Sequence, residues 1–430
     1  MENFDKIKNR DIYLDKLISL KDTEPVKIVT GIRRCGKSSL LKLMINYLKK
    51  NGILDSQIIE MNFESYDYGS MTERDLYNFV KEKKQNKKLY LLFDEIQHIE
   101  NWEKAVNAFR VDFDCDIYIT GSNSYLLSSE YSTYLSGRYV EIKMYPLSFR
   151  EFIDFNDIKI ESGNNSFNQI ILKDQNNIQY DLKTVFNNYL IFGGMPGIID
   201  IGLEQEKVFA LLEGIYNTVI VRDILEREKR KNLKLITDNL LLRKIVMFLA
   251  DNIGNATSAT SIGNVLINEG LLKQKASVST HTIQSYVETL IDSFIFYKIR
   301  RYDIKGKEYL RTMGKYYIVD IGLRNYLCGL RNMDRGHILE NIAYFELLRR
   351  GYDVAIGKID DVEIDFIATK YNEKVYVQVT ESLMSEKTRN RELLPLQKVK
   401  DNYKKMILSL DDLETSEDGI ELVNVIKWLI

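Results

Sequence analysis

One octapeptide constrains this chain more than any other feature. Gly31-Ile32-Arg33-Arg34-Cys35-Gly36-Lys37-Ser38 follows the apolar run Val26-Lys27-Ile28-Val29-Thr30 and precedes a stretch, Ser39 to Tyr47, that is amphipathic at helical spacing. Gly-x4-Gly-Lys-Ser between a strand and a helix is a phosphate-cradling loop. Its glycines let backbone N–H groups turn toward phosphate oxygens, and the helix N-terminus adds favourable potential for anions. We therefore expect Gly31, Ile32, Arg33, Arg34, Cys35, Gly36, Lys37, Ser38 and Ser39 to line an ATP site. Lys37 is expected to reach the β/γ oxygens, and the Ser38 hydroxyl to ligate Mg²⁺.

A second motif completes the expected site. Leu89-Tyr90-Leu91-Leu92-Phe93 is a buried-strand run that ends in Asp94-Glu95. Asp94 is expected to hold Mg²⁺ through water and Glu95 to act as general base on the attacking water. The next apolar run, Asp116 to Thr120, ends in Gly121-Ser122-Asn123-Ser124, which makes Asn123 the first candidate for a γ-phosphate sensor and Ser122 the second. Arg138, just before the run Tyr139 to Met144, fits either an arginine finger reaching a neighbouring subunit's ATP or a surface ion pair.

Around these motifs, β-rich runs alternate with helical patterns from Val26 to about Leu147, which predicts a mostly parallel α/β sheet. At 430 residues the chain should hold several cores. We expect an ATPase core over 1–148, a helical lid over 149–231, a winged-helix domain over 232–333 and a C-terminal α/β domain over 334–430. With 45% hydrophobic residues, 28% charged residues and 4 prolines, the whole chain is expected to fold as a soluble globular protein. Three scattered cysteines and three histidines form no zinc or disulfide pattern. No apolar run approaches a membrane span and no signal segment opens the chain, so a cytoplasmic location without membrane contact is expected.

Lys+Arg at 60 nearly balance Asp+Glu at 62, so any nucleic-acid binding must come from a local patch. One exists. Helix, helix, helix and hairpin succeed one another from about Asn232 to Leu310, the last helix leading into Phe294 to Arg301 and Tyr309 to Tyr317, the order of a winged helix. Thr280, His281, Thr282 and Gln284 lie on the polar side of the third helix. Lys298, Arg300, Arg301, Lys305, Lys307 and Arg311 crowd the hairpin with several tyrosines. DNA is the expected ligand; a protein-docking module with solvated cations is the alternative. Arg389 to Arg391 and Lys398 to Lys405 read as a further basic helical stretch.

Taken together, Gly-Ile-Arg-Arg-Cys-Gly-Lys-Ser-Ser-Leu, Asp94-Glu95-Ile96-Gln97 with Trp102, Thr120-Gly121-Ser122-Asn123-Ser124, Gly137-Arg138 and Pro146-Leu147-Ser148-Phe149-Arg150-Glu151-Phe152 resemble the AAA-type P-loop ATPases of bacteria and archaea that carry a C-terminal restriction-endonuclease-like domain of unknown function. The resemblance runs nearly end to end. It implies an AAA+ core with a helical lid, a winged helix and a nuclease-like α/β domain. Gly194-Met195-Pro196 matches the lid turn by which related ATPases sense nucleotide, and Arg222 the position of a second sensor; a plain helix break is the competing reading. Glu340, Asp365 and Gln378 follow the order of the acid, acid, Glu/Gln-x-Lys set of restriction-type nucleases, but Thr380 stands where the lysine belongs and Lys374 falls before the strand core, so the resemblance implies a degenerate nuclease site.

Two functions fit these motifs. The first is ATP hydrolysis coupled to binding or remodelling duplex or branched DNA by an assembly of identical subunits, such as a hexameric ring. The second is a nucleotide-switched signalling or defence ATPase with a degenerate or active nuclease-like effector.

Overall fold

The computed structural model describes residues 7–122, 135, 137–162, 170–218, 224, 238–268, 279–331, 335–412 and 414–430. It divides into two compact units, residues 1–146 with 292–294, and residues 147–291 with 295–430.

The first unit is built on five parallel strands in the order β2-β3-β4-β1-β5. These are β1 (Val26–Thr30), β2 (Ile58–Asn62), β3 (Leu89–Asp94), β4 (Cys115–Gly121) and β5 (Tyr139–Lys143). Every residue of β1 and β3 is buried, as expected of parallel strands covered on both faces. Helices α1 (Asp11–Ser19), α2 (Lys37–Lys50), α3 (Glu73–Glu82) and α4 (Trp102–Asp112) connect or flank them. Leu76 and Val80 of α3 pack with Trp102, Val106 and Phe109 of α4 and with Phe93 of β3. Thr72 starts α3 by exchanging hydrogen bonds with Asp75, a reciprocal cap that satisfies two otherwise orphaned N–H groups. Because all five strands run the same way, the C-terminal ends of β1, β3 and β4 lie along one edge, where α/β sheets bind ligands.

The second unit opens with the helix Phe149–Phe155, capped by Ser148 and Glu151 in the same reciprocal manner. The sequence led us to expect only helices between 149 and 231, but β6 (Lys159–Ser162), β7 (Ile170–Lys173) and β8 (Gln179–Tyr180) form a small antiparallel sheet. Strands of two to four residues are too short to show a period-two pattern. Helices Leu182–Phe192, Gly197–Ile201 and Gln205–Tyr216 follow.

Helices Asn239–Asp251, Ala259–Asn268 and Thr280–Asp292 then lead into β9 (Phe296–Asp303) and β10 (Glu308–Ile318). The helix and hairpin order is the one read from sequence, yet this hairpin does not stand apart as a wing. It is the edge of an eight-stranded sheet, β10-β9-β11-β12-β13-β14-β16-β15. The remaining strands are β11 (Asp353–Ile359), β12 (Val362–Lys370), β13 (Glu373–Val379), β14 (Lys404–Ser409), β15 (Thr415–Glu417) and β16 (Ile420–Asn424). β9 pairs in parallel with β11, Arg301 opposite Ile356, so one sheet continues across the boundary expected at 333/334. A parallel pairing between strands this distant in sequence leaves no turn signature between them. The basic stretch Lys398 to Lys405 is likewise not helical throughout: the helix Glu386–Lys398 stops and β14 begins at Lys404. Among the described residues no helix is long and apolar enough to cross a membrane.

Candidate active site

At the end of β1 the chain must turn sharply against β5. A Cβ on Gly31 would lie 2.1 Å from the Met144 carbonyl oxygen, and Gly36 takes φ 104 as the N-cap of α2 without a side-chain cap. The first N–H groups of α2 are therefore left for an anion. The loop is fixed from below by Arg10, whose buried guanidinium donates to the carbonyls of Cys35 (2.9 Å) and Tyr145 (2.9 Å). Ile32 and Cys35 are buried, and burial pushes the Cys35 thiol pKa up. Arg33 pairs with Glu64, while Arg34 at φ 64, Ser38 and Ser39 are exposed.

Lys37 turns inward. Its Nζ donates to the carbonyls of Gly31 (3.1 Å) and Ile32 (3.3 Å) and lies 3.3 Å from Glu95 Oε1. Burial alone would lower the lysine, but the Glu95 charge leaves it raised. Glu95, in the left-handed region at φ 51, is pulled the other way: burial would raise it, yet Lys37, with hydrogen bonds from Gln97 and Ser122, holds it at about 2. Glu95 is thus a carboxylate. Asp94 is raised by burial, against hydrogen bonds from Ser38 and Thr120.

Thr120 was not singled out from sequence, and it links the two acids. Its hydroxyl donates to Asp94 Oδ1 (2.5 Å) and accepts from the Glu95 N–H (2.9 Å). Gln97 was likewise missed as a partner; its Nε2 donates to Glu95 Oε2, while its Oε1 is buried without a hydrogen bond. The sequence signal for both was their position at or just beyond the end of a strand beside the acids.

Ser38 and Asp94 share a hydrogen bond at the head of α2, a pair of hard oxygen donors of the kind Mg²⁺ favours. The phosphate loop and this pair fit ATP and Mg²⁺. Ser122 reaches the site through Glu95, whereas Asn123 lies outside the described residues, as does Arg222. Arg138 is exposed at the start of β5, with Nη1 3.3 Å from Asn107 Oδ1.

In the second unit, Pro196 caps the helix Gly197–Ile201, and Gly194 is held by Asp320, whose Oδ2 accepts from the Gly194 N–H at 2.7 Å. Burial lifts Asp320 to about 6. Thr280, His281 and Gln284 are exposed on their helix and Thr282 half-buried, with Gln284 donating to Glu288. On the hairpin, Lys298, Arg300 and Lys307 are exposed, and Arg300 stacks 4.8 Å from the Tyr309 ring. Arg301 and Lys305 are instead occupied by Glu363 (3.4 Å) and Asp360 (2.5 Å), and the Arg311 side chain lies outside the described residues.

Glu340, Asp365 and Gln378 do come together. Gln378 accepts from the Asp365 N–H (2.6 Å) and donates to Glu392 (2.9 Å), and Asp365 accepts from the Val379 N–H (2.9 Å). Lys374 is elsewhere, over the Tyr403 ring. The cation at this centre is one that sequence reading missed, Lys315 of β10. Its Nζ lies 3.1 Å from Glu340 Oε1, 2.8 Å from Glu363 Oε1 and 3.9 Å from Asp365 Oδ1.

Comparison with known proteins bears on both units. Residues 23–153 match the AAA domain family, and residues 183–334 match a domain of unknown function (DUF8612). A protein of Haemophilus influenzae described as uncharacterized is 40% identical, with 98% of each chain covered. The uncharacterized protein MJ1544 of Methanocaldococcus jannaschii is 30% identical over 98% of this chain and 88% of its own. Among solved structures, the Walker-type ATPase PABY2304 of Pyrococcus abyssi aligns with a TM-score of 0.49 at 16% identity, covering 75% of this chain and 96% of that one. The Aeropyrum pernix ORC1 protein in complex with DNA aligns at 0.32 and 11% identity, over 76% and 94%. Scores this low leave the assignment to the sequence relatives. The chain belongs to the family of the Haemophilus influenzae and MJ1544 proteins, with an AAA domain over residues 23–153.

Proposed function

We propose that the chain hydrolyses ATP to ADP and phosphate with Mg²⁺, and that turnover drives an assembly of identical subunits acting on DNA. The observation that carries the hydrolytic part is the buried set of Lys37, Asp94, Glu95 and Thr120 at the mouth of the phosphate loop. In this reading Lys37 leaves Glu95 for the β/γ-phosphates, and the freed carboxylate orients a water and takes its proton. Ser38 and Asp94 would hold Mg²⁺, which when bound neutralises charge between the phosphates. Thr120 keeps both acids in register throughout.

The assembly and DNA parts are supported by exposed cations. Exposed Arg138 at the sheet rim supports a finger directed at a neighbouring subunit, and Lys298, Arg300 and Lys307 remain on the hairpin for phosphates. Titrating ATPase activity with single-stranded, duplex and four-way DNA, with native mass measured alongside, tests both. A monomer with ATP bound, indifferent to every DNA, would end this reading.

A second reading is favoured by the Lys37–Glu95 pair itself. Breaking a buried ion pair before each turnover suits a slow nucleotide switch, with the C-terminal domain as a degenerate nuclease-like effector. Slow turnover with nucleotide-dependent assembly supports it; rapid DNA-stimulated turnover in a monomer excludes it.

A further inference from the structure

We infer that Lys315 is the resident cation of the C-terminal acidic centre, standing where a nuclease-like reading of Glu340 and Asp365 would put a divalent metal. For the identity of the acids alone, the inference rests on that reading.

Three carboxylates surround a single point. Glu340 comes from the helix Arg335–Arg349 and Glu363 and Asp365 from β12, and each has an oxygen between 2.8 and 3.9 Å from Lys315 Nζ. Lys315 and Glu340 are each 8% exposed at the side chain. The buried Glu340 carboxylate, with Asp365 and the half-buried Glu363 beside it, needs a counter-charge. The distances are those of an ammonium; Mg²⁺ or Ca²⁺ would draw the same oxygens to about 2.0–2.6 Å. Consistently, no group of three or more His, Cys, Asp or Glu side chains is arranged to hold a metal ion among the described residues.

The hairpin is shaped to deliver this side chain. The pairing of β10 with β9 shifts register between Leu310 and Lys315, and such an irregularity re-aims the side chains that follow it. The Tyr317 hydroxyl, two residues on, donates to Glu340 Oε1 at 2.5 Å, and Arg301 of β9 lies 3.4 Å from Glu363. Lys315 and Glu340 respond as ion-pair partners should, while Asp365 beside them is held toward its neutral form. Lys315 is raised by its acids despite burial, Glu340 is lowered by Lys315 despite burial, and Asp365 is pushed well above the carboxylate range by burial and by Glu340. The hairpin is thus tied to the sheet by its own cations.

The full chain without nucleotide tests this with four proteins: wild type, Lys315→Met, Asp365→Asn, and Lys315→Met with Asp365→Asn. Melting is followed with and without millimolar Ca²⁺, and Mn²⁺ binding by equilibrium dialysis. Lys315→Met should lower the melting temperature by roughly 5–10 °C and regain part of that loss with Ca²⁺; the double variant should not respond. Loss of stability with no Ca²⁺ response would keep Lys315 as counterion and remove the nuclease-like reading of the acids. A Lys315→Met chain that melts like wild type overturns the inference. So does wild-type Mn²⁺ binding that Asp365→Asn abolishes, a result that would leave the nuclease-like reading standing. This last comparison keeps Lys315 in place and so does not depend on whether Lys315→Met folds.

Discussion

Lys37 Nζ lies 3.3 Å from Glu95 Oε1, so the cation assigned to phosphate and the carboxylate assigned to water form one buried ion pair. In the proposed mechanism binding and chemistry would be coupled through this single contact: whatever draws Lys37 outward would release Glu95.

Glu95→Gln separates the two roles. Lys37 loses its competitor and the water loses its base, so ATP should bind at least as tightly while turnover falls by about 10²- to 10⁴-fold. Nucleotide titration and phosphate release measured on the same preparation check this; wild-type turnover would reject the assignment of Glu95.

Thr120→Val keeps the shape of β4 and removes the hydroxyl between the acids. Asp94 loses a donor and the Glu95 N–H its acceptor, a cost of about 1–3 kcal/mol in stability. Turnover should drop with it, and Thr120→Ser should restore most of both. If Thr120→Ser behaves like Thr120→Val, the hydroxyl is not what matters.

Within the same sheet, Lys27 on β1 is fully buried with its Nζ 2.6 Å from Asp116 Oδ1 on β4, and Asp116 also accepts from the Tyr118 hydroxyl (2.8 Å). Removing only one partner strands the other charge. Lys27→Met should cost about 3–5 kcal/mol in denaturant unfolding, and Lys27→Met with Asp116→Asn should cost clearly less.

Two buried carboxyls respond to acid in opposite senses. Glu95, held at about 2 against an ordinary 4.5, contributes stability that is present above pH 4.5 and is lost as pH falls toward 2. Asp320, lifted to about 6 from 3.8, contributes stability that is present below pH 3.8 and is lost as pH rises through 6. Acid titration by circular dichroism should show a shallower loss below pH 4.5 for Glu95→Gln than for wild type. Asp320→Asn should flatten the change between pH 4 and 6; an unaltered slope in either variant contradicts the corresponding shift.

The strand, loop and helix around Lys37 were legible because their signals are local: an apolar run, two glycines and a helix start within a few residues fix backbone conformation before any distant contact forms. Asp94-Glu95 was legible for the same reason, as polar residues at the tip of a buried strand. The three short strands between Lys159 and Tyr180 were not, since so few residues carry no period. Nor was the role of Thr120, which depends on β3 and β4 lying side by side.

The C-terminal half shows the division most clearly. Sequence alone put Glu340, Asp365 and Gln378 in one constellation and marked Thr380 as the wrong residue for a lysine. It also made the hairpin cations look like a single basic patch. Only the tertiary structure decided that β9 pairs with β11, that Arg301 meets Glu363 of β12 and Lys305 meets Asp360 in the turn before it, and that Lys315, some 50 residues before Asp365, enters the acidic centre. The reason is physical. Local sequence sets which backbone conformations are cheap, whereas the partner of a buried charge is chosen by which strands pack together, and burial then makes that choice expensive to undo.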